Sequence, residues 1–114
     1  MSTQKILKLD LVVYPCNVYI AINCENETLT HEFKEEFKDL DSKLAAACYT
    51  LKSGDILLRF RDQESFTSQI ISHEAVHAAF YIFDYLGIKI DPDNQEPFAF
   101  LVDCIVGFCE KHKV

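Results

Sequence analysis

The chain has 114 residues, 49% of them hydrophobic and 25% charged, a balance typical of one globular domain with its own core. Its net charge of −7 and its lack of a Lys/Arg cluster argue against nucleic-acid binding, which needs concentrated basic residues. Apolar runs are interrupted well before the ~20 residues that a membrane span requires. Five cysteines, with no Cys-x-x-Cys pair and no signal-like start, favour a reduced protein of the cytoplasm. We expect a single domain over residues 1–114.

Four segments of the chain have strand character. Residues 5–14 and 18–23 are rich in Leu, Ile and Val and are separated by a turn at 15–17. Residues 46–52 and 56–61 flank a Ser-Gly-Asp turn, which predicts a β-hairpin. The sequence therefore predicts a small mixed sheet of about four strands.

Three segments have helical spacing. Thr30 is expected to cap a helix over residues 30–40, with an apolar stripe of Phe33, Phe37 and Leu40. A second helix is predicted over 67–86, with Gly87 as its left-handed C-terminal residue. A turn at 91–94 precedes a last helix that ends near Lys111. The fold class is thus α+β. The buried stripe of the second helix is predicted to be Ile71, Ala75, Ala78, Ile82 and Leu86.

The second helix contains the pattern His73-Glu74-Ala75-Val76-His77. Histidines four residues apart lie on one face of a helix, so that both imidazoles can bind one Zn²⁺ ion per chain. Glu74 projects about 100° away from His73 and is placed to act on a water at the open position of the metal. Both histidines fall outside the predicted core stripe, and a buried pair without partners would leave polar nitrogens unsatisfied. The pattern therefore predicts a metal site on the exposed face.

A catalytic zinc site usually has three protein ligands, so a third must come from elsewhere in the chain. Glu96 is the preferred candidate because it lies nineteen residues after His77, at the start of the next helix. The alternative is that Glu96 only caps this helix, since Pro97 disfavours helical geometry at the residue before it. The other downstream candidates are Asp84, Asp91, Asp93, Asp103 and His112.

Metal-bound histidines usually donate their second ring N–H to a carboxylate or a carbonyl. Asp103 lies seven residues after Glu96, two turns along the same helix, and is the candidate for this supporting role. Asp84, seven residues after His77, has a weaker claim. The alternative for both is an exposed helix charge. Tyr81, Tyr85 and His112 are the candidate donors to a developing oxyanion.

The His73-Glu74-x-x-His77 motif followed by Glu96 resembles the zincin metallopeptidases, in the branch whose third zinc ligand is a downstream glutamate. The wider context, with Asp91-Pro92-Asp93-Asn94-Gln95-Glu96-Pro97, also resembles small predicted metallopeptidases of bacteriophages and mobile elements. The resemblance covers about residues 55–111 and implies a minimal zincin-like domain. It implies hydrolysis of a peptide or protein substrate by a zinc-activated water, with Glu74 as general base. It also implies that strand 56–60 lines the substrate cleft.

Two other readings use the same motif. Peptide deformylases share it, but their third ligand is an upstream cysteine in a Gly-Cys-Leu context, which Cys48 lacks, and their motif has Asp where this chain has Val76. A metal-stabilised interaction module without turnover is the alternative from another functional class. Four protein ligands would indicate such a structural site, whereas three ligands and a water would indicate catalysis. The sequence predicts neither the substrate nor the oligomeric state.

Overall fold

The computed structural model describes residues 3–113 and confirms the α+β class, with a four-stranded mixed sheet and three helices. The strand order is β1-β2-β4-β3. The β1–β2 and β3–β4 pairs are antiparallel, and β2 and β4 are parallel. The elements, numbered in chain order, are β1 (Lys5–Asp10), β2 (Asn17–Ile22), α1 (Asn26–Phe33), β3 (Ala46–Thr50), β4 (Ile56–Phe60), α2 (Ser68–Leu86) and α3 (Gln95–Lys111).

The predicted β3–β4 hairpin is confirmed, and the two predicted N-terminal strands are present, although β1 is shorter than expected. Asp10 at the end of β1 pairs with Asn17 at the start of β2, so the residues between them form the connection instead of extending the strand to residue 14. A backbone hydrogen bond of 3.2 Å from Tyr14 to Leu11 closes a turn within this connection. The second hairpin turns at Gly54, whose φ of 93° lies in the left-handed region that glycine tolerates.

The helix predicted over residues 30–40 is wrong at both ends. The observed helix α1 begins at Asn26, with Glu25 at its N-cap, so that Thr30 lies inside the helix instead of capping it. Lys34 adopts a left-handed conformation with φ of 59°, and its N–H donates to the Thr30 carbonyl. This is a helix-ending geometry, and the chain continues as a loop.

The apolar residues that suggested a longer helix are nevertheless used in packing. Phe33 and Phe37 are in edge-to-face contact, with ring centroids 6.2 Å apart, and they pack on the face of the sheet that is remote from α2. The buried guanidinium of Arg59 in β4 fixes this loop by donating to the Lys38 carbonyl at 2.9 Å. A long-range contact of this kind competes with local helix formation. The spacing of apolar residues within the segment does not indicate it.

Helix α2 covers nearly the predicted residues, and Gly87 follows it as expected. The Thr67 hydroxyl accepts a hydrogen bond from the N–H of Ile70, and Gly87 ends the helix with φ of 71°. Ile71, Ala75, Ala78 and Ile82 are buried against the sheet as predicted, and Leu86 is half-buried. This stripe fixes the rotation of α2 and turns the motif histidines outward.

Helix α3 packs antiparallel to α2. Near the start of α3, Phe98 lies with its ring centroid 4.9 Å from that of Phe80, and beyond its end the Lys113 ammonium donates to the Ser68 hydroxyl at 3.0 Å. The alternative that Glu96 caps this helix is wrong, because the helix begins at Gln95 and Glu96 lies in the first turn. Pro97 is tolerated there because the first N–H groups of a helix have no partner within it.

The expectation that strand β4 lines an open cleft is also wrong. Strand β4 lies between β2 and β3, and all five of its residues are buried. Strand β3 is instead the free edge of the sheet on this side. Long-range parallel pairing of β2 with β4 produces this order, and sequence periodicity does not encode it. Any cleft beside α2 is therefore bordered by β3.

Candidate metal centre

The two motif histidines lie together on the exposed face of α2. Both side chains are exposed, their ring centroids are 4.9 Å apart, and the Nε2 atoms are separated by 3.2 Å. The four-residue spacing on a regular helix produces this arrangement, because it places the rings of His73 and His77 one turn apart, in edge-to-face contact. The Nε2 atoms are also within hydrogen-bond distance, if one nitrogen donates and the other accepts.

This spacing fits two ligands of a single zinc ion. Nitrogens that bind one zinc at about 2.0–2.1 Å in a tetrahedral arrangement lie about 3.3 Å from each other. The observed Nε2 separation is 3.2 Å. Neutral imidazole is moreover a common ligand of zinc and similar divalent ions. Hence His73 and His77 need no large movement to hold such an ion.

Glu74 differs from the two histidines because its side chain is buried, with a relative exposure of 6%. Burial raises the pKa of Glu74, while the neighbouring His73 and His77 act in the opposite direction. Cys48 of edge strand β3 is near the carboxylate: burial raises the pKa of Cys48 to about 12, and the charge of Glu74 adds to the shift. The Glu74 carboxylate is therefore close to the histidine pair and to Cys48, and it is shielded from bulk water.

The structure does not bring the predicted third ligand to the histidine pair. Within residues 3–113, no group of three or more His, Cys, Asp or Glu side chains is placed to hold a metal ion. Glu96 is exposed and lines a groove between α3 and the end of β1. Asp103 and Asp84 are exposed on α3 and α2. The roles of Glu96 and Asp103 at a metal therefore remain predictions.

Two of the remaining candidates have other partners in the fold. The Asp91 carboxylate accepts a hydrogen bond of 2.9 Å from the N–H of Asp93, in the turn before α3. The Nδ1 atom of His112 lies 2.8 Å from the carbonyl oxygen of Phe108, near the C-terminal end of α3. This contact occupies Nδ1 alone, and the role of His112 as an oxyanion donor stays a prediction.

A cavity of about 420 Å³ lies beside the motif, between the end of β3 and the second half of α2. Tyr81 lines it one helical turn after His77, together with Tyr85 and Thr50. Tyr81 is 43% exposed, which leaves its hydroxyl accessible. Sequence reasoning named both tyrosines but not Thr50, because the neighbourhood of β3 and α2 depends on strand order.

Comparison with models of known protein families, with curated proteins and with solved structures found no match for this chain.

Proposed function

We propose that this chain is a zinc-dependent peptidase of the zincin type, in which Glu74 is the general base. The observation that carries the proposal is the placement of the buried Glu74 carboxylate beside two imidazoles whose Nε2 atoms are 3.2 Å apart. Burying a carboxylate costs free energy, and the fold shows no other role for Glu74. A role as the general base in hydrolysis would account for its burial.

His73 and His77 would hold the ion, with Glu96 as the proposed third protein ligand. A bound zinc ion lowers the pKa of a coordinated water to about 7 and polarises a carbonyl oxygen. Glu74 accepts the proton of the attacking water and delivers it to the amine of the departing peptide. The low exposure of Glu74 excludes bulk water that would compete for this proton.

Edge strand β3 supports a peptide or protein as the substrate class. Its sequence, Ala46–Thr50, carries no charge, whereas the opposite edge, β1, contains Lys5 and Lys8. Charged side chains protect an edge against added strands, so β3 is the edge that is open to an extended peptide. A peptide paired with β3 would pass beside Glu74, because Cys48 of β3 neighbours that carboxylate.

We also propose a cytoplasmic location, and the support for it is the state of the cysteines. The five cysteines, Cys16, Cys24, Cys48, Cys104 and Cys109, are free thiols. Within residues 3–113, no helix combines the length and the hydropathy needed to cross a bilayer. We infer a protein that works in a reducing compartment.

The test is cleavage of a broad peptide library by zinc-loaded protein. Wild type should cleave, Glu74→Gln should bind zinc without cleaving, and His77→Ala should lose both properties. Glu64→Gln, which changes an exposed glutamate outside the motif, is the matched control and should cleave as wild type does. The proposal fails if Glu74→Gln cleaves as well as wild type, or if no version cleaves.

A metal-binding interaction module without turnover is the second candidate. Its support is the exposed apolar face around His77, where Val76, Phe80 and Tyr81 are 37%, 49% and 43% exposed. Such a face is typical of a surface that another protein covers. X-ray absorption of the zinc-loaded protein separates the candidates, because four protein ligands indicate a structural site and three with a water indicate catalysis.

A further inference from the structure

A second apolar surface lies away from the histidine pair, between α3 and the connection that follows β1. It is a groove of about 580 Å³, within the usual size range of binding pockets. One wall is residues 9–14 and the other is the first half of α3, with Pro97, Phe100 and Cys104. Among the residues that line this groove, only Glu96 is also assigned to the proposed metal centre, as its proposed third ligand.

The side chains that border the groove are unusually exposed for their type. Val12 is 95% exposed, Val13 77% and Phe100 64%. These three residues come from two different elements and face one common space. A contiguous apolar surface of this kind is typical of a protein–protein contact, whereas single exposed apolar residues need no explanation.

The acidic residues that line the groove indicate the charge of the partner. Asp10 at the end of β1 and Glu96 in the first turn of α3 are the charged lining residues, and both are acidic. A second copy of this chain, with its net charge of −7, would bring carboxylates against carboxylates. A partner with Lys or Arg beside its apolar residues would instead pair with them.

The wall formed by α3 indicates the shape of that partner. Pro97, Phe100 and Cys104 follow one another at spacings of three and four residues, so they form a ridge along the helix. Another helix packs against such a ridge by placing its own apolar side chains into the groove. An added strand fits less well, because the neighbouring edge strand β1 carries Lys5 and Lys8.

We propose that this groove binds a basic amphipathic helix of another protein, with its apolar face on Phe100 and Val13 and a Lys or Arg residue at Asp10. This inference depends on the groove and not on the peptidase proposal. Its probe is a fluorescein-labelled helical peptide of about 18 residues, made of Leu at helical spacing and Lys elsewhere. Matched peptides have Glu in place of every Lys, or the same composition in scrambled order.

Full-length wild-type protein should bind the Leu/Lys peptide in a saturable way, measured by fluorescence anisotropy, and bind the other two at least about tenfold more weakly. Phe100→Ser should weaken binding by about tenfold or more, because it removes an anchor of the apolar wall. Leu44→Ser, at an exposed apolar residue remote from α3 and outside the groove, is the control and should leave binding unchanged. Asp10→Asn should weaken binding and its salt dependence without changing zinc binding.

A footprint checks the location. Cys104 lines the groove, so the bound peptide should slow its alkylation by iodoacetamide, read by mass spectrometry of proteolytic fragments. The proposal is overturned if the Leu/Lys peptide binds more weakly than about 1 mM, if the scrambled or Glu peptide binds equally well, or if Phe100→Ser and Leu44→Ser behave alike. It is also overturned if wild type is a dimer in solution and Val13→Asp makes it a monomer, since a second copy would then occupy the groove.

Discussion

The Nε2 atoms of His73 and His77 lie 3.2 Å apart on the exposed face of α2. In the proposed zinc site, one helix alone would therefore supply two of the four tetrahedral ligands. The capped start of α2 at Thr67 and the buried stripe of small and branched side chains keep that helix in place. A metal that binds here meets two ligands whose spacing is already correct, and this lowers the ordering cost of binding.

The first prediction concerns this pair. Purified wild type should bind about one zinc per chain, and His77→Ala should lower the affinity by more than the roughly 10–100-fold that loss of a supporting residue costs. Elemental analysis measures the zinc content, and competition with a chromophoric chelator measures the zinc affinity. His31→Ala is the control, because His31 is an exposed histidine on α1. Equal losses in the two variants would contradict the site.

The second prediction concerns the third ligand. Glu96→Ala should weaken zinc binding strongly, and Asp103→Ala should weaken it by about 10–100-fold, as expected for a carboxylate that orients a ligand. Glu64→Ala serves as the control, since Glu64 is an exposed glutamate that is not a candidate ligand. Unchanged zinc affinity in Glu96→Ala would remove Glu96 from the site. The zinc affinity of Asp103→Ala tests the role of Asp103 independently of Glu96.

Local signals predicted the parts of the fold that depend on neighbouring residues. The Gly87 helix end, the turn at Gly54 and the outward face of the histidines follow from spacing and turn chemistry within a few positions. The four-residue spacing of His73 and His77 on α2 also sets the geometry of the pair. The placement of the two histidines could therefore be predicted from the sequence, and their role at a metal stays a prediction.

The features that sequence reasoning missed depend on distant contacts. Arg59 holds the Lys38 carbonyl from twenty-one positions away, and this contact competes with the helix predicted over residues 30–40. The parallel pairing of β2 with β4 makes β3 the edge strand and places Cys48 beside Glu74. Amphipathic spacing reports which face of an element is buried but not which neighbour buries it.

The third prediction concerns the β3–β4 turn. Gly54 has φ of 93°, and a Cβ there would lie 3.0 Å from ring atoms of Tyr85. Gly54→Ala should therefore lower the free energy of unfolding by about 1–2 kcal/mol. Gly107 lies within α3 with no atom near its Cβ position, so Gly107→Ala should raise it by about 0.5–1 kcal/mol. Chemical denaturation measures both, and a shift of the same sign in the two variants would refute the argument.

The last prediction tests whether substrate pairs with edge strand β3. Backbone hydrogen bonds of 2.8 Å from Leu51 to Asp55 and 2.9 Å from Arg61 to Ala45 define the alternation of the β3–β4 ladder. In an antiparallel pair, residues alternate between pointing their N–H and C=O at the partner strand and away from it. By that alternation, the N–H of Thr50 points to the free edge.

Thr50→Pro removes this outward N–H without removing a ladder hydrogen bond, and proline is tolerated at such edge positions. If substrate adds to β3, kcat/KM for a cleaved peptide should fall about threefold to tenfold, the effect of one lost hydrogen bond, with zinc affinity unchanged. Thr50→Ala keeps the N–H and should cleave as wild type does. Equal losses in both variants would assign the effect to the Thr50 side chain in the neighbouring cavity, and an unchanged kcat/KM in Thr50→Pro would show that substrate does not use this edge.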